Sequence, residues 1–136
     1  PPLAAAVAGA LLVLPFLLPD RSGIDESRFP LEAGQHLETA HVFHDDVVGG
    51  WLIYSQWPDR QVFIDDRAEV HGAEGFEELL AVERGSERWR GVFESYPITE
   101  VLLTLSRAEN LADELAEEGW SETYRDEYFV VMKSEK

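Results

Sequence analysis

The sequence predicts an α/β fold: a three-layer sandwich with a mostly parallel sheet, completed by a C-terminal antiparallel hairpin. Three observations lead there. His41–His44 (HVFH) and Gln61–Ile64 (QVFI) are short apolar-centred runs, each followed by Asp-Asp, and a helix-like segment lies between them. Val101–Leu105 is a third buried-strand run, again followed by a helical pattern. Ser121–Arg125 and Tyr128–Lys133 flank Asp126-Glu127 as the two strands of a hairpin.

Runs rich in β-branched and aromatic residues suit strands covered on both faces. Between the first two, Val47–Gln56 spaces Val47, Trp51 and Tyr54 by four and three, with Val48 and Leu52 alongside, which is one side of a 3.6-residue period. Asp46 stands at the expected N-cap, and Pro58 forbids continuation. A strand–helix–strand unit of this kind makes a right-handed crossover between parallel neighbours. Gly49-Gly50 in the first helical turn costs about 1 kcal/mol per residue against alanine. Something must therefore approach the backbone there, either a neighbouring element or an anion at the helix N-terminus. Neither GxGxxG nor a P-loop is present, and the packing explanation is favoured.

The chain divides into an apolar segment 1–19, a linker 20–30 and an α/β domain 31–136. Residues 1–19 carry no charge, and Leu3–Leu18 would span about 24 Å as a helix, short of a hydrocarbon core of about 30 Å. The expectation is the end of a transmembrane helix of a larger protein, ahead of a signal peptide without a basic region and a buried helix apolar all round. Residues 20–30 are punctuated by Gly and Pro; Pro30 suits the first turn of a thin helix over residues 31–39. Downstream, Phe76, Leu79 and Leu80 form an inward face and Glu77, Glu78 and Glu83 a solvated one. A short helix from Ser86 or Glu87 to Tyr96 carries Trp89 and Phe93. Ser106 and Glu109 read as a capping box, and Gly119 as the C′ residue of a helix over residues 107–118.

The 136 residues hold one domain with a real core. Their 27 acidic and 11 basic residues give a net charge of −16, which disfavours a nucleic-acid partner and adhesion to an anionic leaflet. Nine of those 11 basic residues are arginine. Cysteine is absent, so disulfides, thiolate zinc sites and thiol catalysis are excluded within these residues.

Asp46, Gly49, Gly50, Trp51 and Leu52, followed by Val62, Phe63, Ile64, Asp65 and Arg67, form a pattern that resembles a segment in the soluble C-terminal region of bacterial and archaeal polytopic membrane proteins. Many of these are uncharacterised; others are grouped with GT-C type glycosyltransferases that use lipid-linked sugars. Asp66 stands where a glycine is common in the pattern, and aspartate tolerates left-handed backbone better than most residues. The resemblance runs loosely over residues 30–133. It implies a tethered extracytoplasmic domain at a cell membrane, with the membrane-embedded remainder of its own protein as partner and a glycan or lipid-linked sugar as a further contact. Arg21, beside the apolar end, is a weak opposing signal under the positive-inside rule.

If the first two strands are parallel neighbours, Asp45, Asp46, Asp65 and Asp66 gather at the edge where open α/β sheets hold ligands. That edge, with Gly49, Gly50 and Arg67, is the candidate ligand site. Hard carboxylate oxygens there would take Mg²⁺ or Ca²⁺, and His44 and His71 with Asp45, Asp65 and Asp66 would admit Mn²⁺ or Zn²⁺. An Asp–His pair could act as base, with Arg67 steadying an anion. Each residue also has an ordinary role in caps, turns and ion pairs, and that reading is favoured; no cofactor is expected. Trp57, in the Q-W-P-D turn, is the one aromatic residue expected as an exposed platform for a sugar or partner, whereas Trp51, Trp89 and Trp120 fit packing positions. The function expected is a non-catalytic accessory domain, against two alternatives: a small metal-dependent enzyme at the Asp-rich edge, and a protein-interaction domain.

Overall fold

The computed structural model describes residues 23–85 and 87–135. The apolar segment 1–19 with its reading as a membrane helix, Arg21, and the helix start at Ser86 lie outside the described residues. Among those described, no helix is long and apolar enough to cross a membrane.

Five strands form one mixed sheet in the order β2-β1-β3-β5-β4. They are β1 (His41–Phe43), β2 (Gln61–Val62), β3 (Glu100–Thr104), β4 (Ser121–Arg125) and β5 (Phe129–Lys133). β1 pairs in parallel with both β2 and β3, placing His41 opposite Gln61 and Phe43 opposite Val101. β5 runs antiparallel to β3 and to β4, so the C-terminal hairpin inserts its second strand beside the sheet's centre. The helices are α1 (Asp46–Gln56), α2 (Ala68–Glu83), α3 (Arg88–Ser95) and α4 (Leu105–Glu117).

Alternation along the central strands divides the core between two faces. Phe43, Val101, Leu103, Val130 and Met132 pack with Leu79, Val82, Trp89, Phe93, Leu111 and Leu115 from α2, α3 and α4. On the opposite face Val42, Leu102, Phe129 and Val131 meet Val48 and Leu52 of α1, together with Ala33 and Leu37. The sandwich therefore has three layers, as the sequence predicts. β1 leads through α1 outward to β2, and β2 returns through α2 and α3, on the other face, to β3. The chain thus leaves β1 and β3 in opposite directions, which makes their C-terminal ends a topological switch point.

Several local expectations are corrected. The helix over residues 31–39 shrinks to a 3₁₀ turn, Ala33–His36. The turn makes room for the Trp51 ring, 2.4 Å from where a Gly34 β-carbon would stand. The N-cap of α1 is Asp45, whose carboxylate accepts from Val48 N–H at 2.8 Å; Asp46 is already inside the helix. Tyr54, expected on the inward face of α1, is 90 % exposed, and the buried side is Val48, Gly49 and Leu52. α2 begins at Ala68, eight residues before Phe76, and breaks at Gly72, whose φ of 66° a β-carbon would oppose. Its exposures are also reversed at two positions: Leu80 faces solvent and Glu83 is buried.

α4 starts at Leu105, directly after β3, so Ser106 is not its cap. Gly119 does end that helix in left-handed conformation (φ 85°). Gly119 N–H donates to Ala116 O at 3.1 Å and Trp120 N–H to Leu115 O at 2.9 Å, the two bonds of a Schellman motif.

Candidate functional site

The parallel pairing of β1 with β2 places Asp45, Asp46, Asp65 and Asp66 at one edge of the sheet, as expected. They do not converge. The fully buried His44 imidazole separates Asp45 from Asp65 and is used at both nitrogens. Nδ1 lies 2.8 Å from the Asp45 carbonyl oxygen and so carries the proton, while Nε2 accepts from Phe63 N–H at 3.0 Å. The ring thereby continues the β1–β2 contact where β2 has run out of backbone partners. Burial holds the imidazole below its ordinary pKa, which keeps it in this neutral form.

Asp65 is buried and bound to its own turn. Oδ1 accepts from the Arg67 N–H and Nε, both at 2.9 Å, and Oδ2 accepts from Arg67 Nη2 at 2.6 Å. That fork holds the carboxyl far below the usual carboxylate range. His71 Nε2 sits 3.3 Å from both the Asp65 amide nitrogen and Oδ2. Asp66 is exposed, and its backbone is not among the left-handed non-glycine positions of the described residues.

Gly49 and Gly50 separate cleanly. A β-carbon at Gly49 would stand 1.8 Å from the Ile64 carbonyl oxygen, so the glycine admits the backbone following β2. Gly50 is exposed and meets nothing within 4 Å.

Asp45 reaches away from Asp65, across the switch point to β3. Its Oδ2 accepts from Thr104 Oγ1 at 2.5 Å, while its Oδ1 caps α1. Arg107, from the first turn of α4, lies over this junction. Its Nη1 donates to Asp46 Oδ1 at 2.8 Å and stands 4.0 Å from Asp45 Oδ2. On its other side Nη2 donates to Glu83 Oε2 at 3.1 Å, and Nε lies 3.0 Å from Glu83 Oε1. The Nε contact lacks hydrogen-bond alignment, which leaves Oε1 buried without a donor. Burial, opposed by Arg107, raises the Glu83 pKa. A cavity of about 140 Å³ beside this cluster is lined by Ser27, Arg28, Asp45, Val47, Thr104 and Arg107.

Thr104, Arg107 and Glu83 were not singled out from the sequence, nor was Glu100 at the opposite rim of the sheet. Glu100 is fully buried and accepts from Glu38 N–H at 3.0 Å, Thr39 N–H at 2.9 Å and Thr39 Oγ1 at 3.0 Å. The available signal was a glutamate opening the apolar run of β3, in register with Val42 of β1.

Among the described residues, no three His, Asp or Glu side chains stand where they could hold one metal ion. His44 has both nitrogens engaged, and His71 belongs to the Asp65 turn. Trp57 is exposed, as the sequence predicts, and follows the similarly exposed Tyr54 at the end of α1. Trp89 is buried, Trp51 and Trp120 pack on the two core faces, and Trp89 Nε1 donates to Glu114 Oε2 at 2.9 Å. The candidate edge is thus a set of caps, a strand-extending imidazole and ion pairs that join β1, β2, β3, α1, α2 and α4. Comparison of the chain with protein-family models, with curated proteins and with solved structures returns no match.

Proposed function

We propose that the chain supplies a non-catalytic accessory domain of a polytopic membrane protein, held on the extracytoplasmic side of the cell membrane. The observation that carries the non-catalytic part is the engagement of the edge residues. Asp45 caps α1 and binds Thr104, Asp65 is forked by Arg67, and both nitrogens of His44 serve the backbone. Acid–base or ligand chemistry at these atoms would require breaking contacts that hold β1, β2, β3 and α1 together. The membrane tether draws support from the uncharged segment 1–19 and from the resemblance over residues 30–133 to domains of GT-C type glycosyltransferases and related polytopic proteins.

In this role the domain covers or shapes the membrane-embedded remainder of its own protein, where the reaction itself is carried. Tyr54 and Trp57 give it an aromatic surface for a glycan, including a lipid-linked sugar, or for a partner.

The absence of cysteine from these residues gives a direct test. Asp59→Cys, in the exposed turn after Trp57-Pro58, is introduced into the full-length gene product, with the unsubstituted protein as blank. Intact cells are then treated with a membrane-impermeant maleimide. Labelling of intact cells is the expected result. Labelling only after permeabilisation would place the domain in the cytoplasm and overturn the assignment.

A further inference from the structure

A cavity of about 250 Å³ opens where the segment before the 3₁₀ turn passes the β4–β5 hairpin. Its aromatic wall includes Phe29, Tyr124 and Tyr128, and its mouth carries Glu26, Glu32 and Glu127. Asp126, also at the wall, is consumed by the hairpin turn: it accepts from the Tyr128 and Phe129 N–H groups, both at 2.7 Å, and from Tyr124 OH at 2.8 Å. Among the described residues, none of Glu26, Glu32 and Glu127 is in an ion pair.

The negative field inside this cavity is registered by its phenols. Burial, the Asp126 hydrogen bond and the charges of Glu32 and Glu26 push the Tyr124 hydroxyl up to about 12. Glu127, burial and the more distant Asp25 and Glu26 raise that of Tyr128. Ring faces backed by carboxylates attract organic cations, and a guanidinium uses both: its plane stacks on a ring while its edge donates to carboxylate oxygens.

The same molecule shows that pairing elsewhere. Arg90 stacks over Trp89 with its guanidinium carbon 4.5 Å from the ring centroid, and its Nη2 donates to Glu118 at 2.5 Å. The hairpin cavity offers more rings and more carboxylates. Among the described residues, Arg28 stands 6.0 Å from the Phe29 centroid and His36, which is not part of the cavity lining, stacks on Tyr124 at 4.5 Å.

We infer that the Phe29–Tyr124–Tyr128 cavity receives an arginine side chain of a partner polypeptide. The inference stands on the cavity and its charge and does not depend on the membrane assignment.

The test uses the full 136-residue chain in a mild non-ionic detergent, titrated with acetyl-Gly-Arg-Gly-amide while backbone amide resonances are followed. The expected result is saturable shifts clustered on residues 26–32 and 124–129. Binding should weaken at least tenfold when citrulline replaces arginine, and at least tenfold in the Glu32→Gln/Glu127→Gln variant. Those substitutions alter exposed side chains, and an unchanged circular dichroism spectrum verifies the fold. Four results would overturn the inference: shifts spread over all acidic surfaces, shifts centred on Glu74 and Glu78 beside Tyr96, equal affinity for the citrulline peptide, or tetramethylammonium binding as tightly as the arginine peptide.

Discussion

A β-carbon added at Gly49 would overlap the Ile64 carbonyl oxygen, whereas one added at Gly50 would enter open space. Gly49→Ala is therefore expected to destabilise by about 3 kcal/mol or more, because backbone on both sides must shift. Gly50→Ala should be neutral or stabilise by up to about 1 kcal/mol through helix propensity. Urea unfolding of the two variants separates them. The sequence marked the pair as a close approach, but only the register of β2 against β1 says which glycine is needed.

His44 carries a pH signature. Its folded pKa lies below the ordinary 6.5, so the unfolded chain takes up this proton first as pH falls. Its contribution to stability is present above about pH 6.5 and lost as pH drops from there toward the folded value. His44→Phe should lower stability by about 2 to 4 kcal/mol, by stranding the Phe63 N–H and the Asp45 carbonyl. Relative to the unsubstituted protein, its curve of unfolding free energy against pH should be flatter below pH 6.5.

At the scale of elements, Arg107 joins the start of α4 to the start of α1 through Asp46 and to the end of α2 through Glu83. Arg107→Met leaves the Glu83 carboxylate buried without its counter-charge, a loss of about 3 kcal/mol. Adding Glu83→Gln should recover part of that loss. A double-mutant cycle by urea unfolding reads the coupling, and additivity of the two substitutions would show that the pair is not clamping these helices. This clamp was illegible in the sequence for a definite reason. Glu83 lies four residues after Leu79, on the inward side of α2, but its partner arrives 24 residues later in the chain. A charged residue without a visible partner reads as solvent-facing.

The missed cap at Ser106 has a similar origin. Leu105 N–H donates to Tyr128 O at 2.8 Å, so pairing with the C-terminal hairpin holds the chain extended to the end of β3, which passes straight into α4, and the backbone instead departs from helical geometry at Ala108. A local capping signal yields here to strand pairing. By contrast, the buried strands β1 and β3, the parallel β1–β2 neighbours, the C-terminal hairpin and the Gly119 stop were legible. Each depends on a short contiguous pattern: an apolar run, a turn pair, or a glycine after a helical face. Gln61–Ile64, expected as a strand covered on both faces, keeps only Gln61–Val62 as a strand at the sheet's edge, with Gln61 exposed. Which aspartate caps α1 was missed by one residue, and that shift decides the candidate site, because Asp45 at the cap is also the residue that reaches Thr104.

For the whole molecule, a net charge of −16 on 136 residues opposes compaction through self-repulsion. Raising NaCl from 0.05 to 1 M shortens the Debye length from above 10 Å to about 3 Å and should raise the urea midpoint. A midpoint that falls with salt would show that the ion pairs around Arg107 and Asp65 outweigh the general repulsion. At the acidic edge the carboxylates of Asp45, Asp46 and Asp65 are tied to Arg67, Arg107, Thr104 and a backbone amide.

The central claim is that this edge holds the fold together, in place of presenting vacant groups to a ligand. Residues kept for binding or catalysis are commonly neutral or stabilising to replace, whereas structural caps are not. The most direct measurement is the unfolding free energy of Asp45→Ala, which removes the α1 cap and the Thr104 contact together. A loss of about 2 to 3 kcal/mol is the predicted result. Unchanged or increased stability would contradict it.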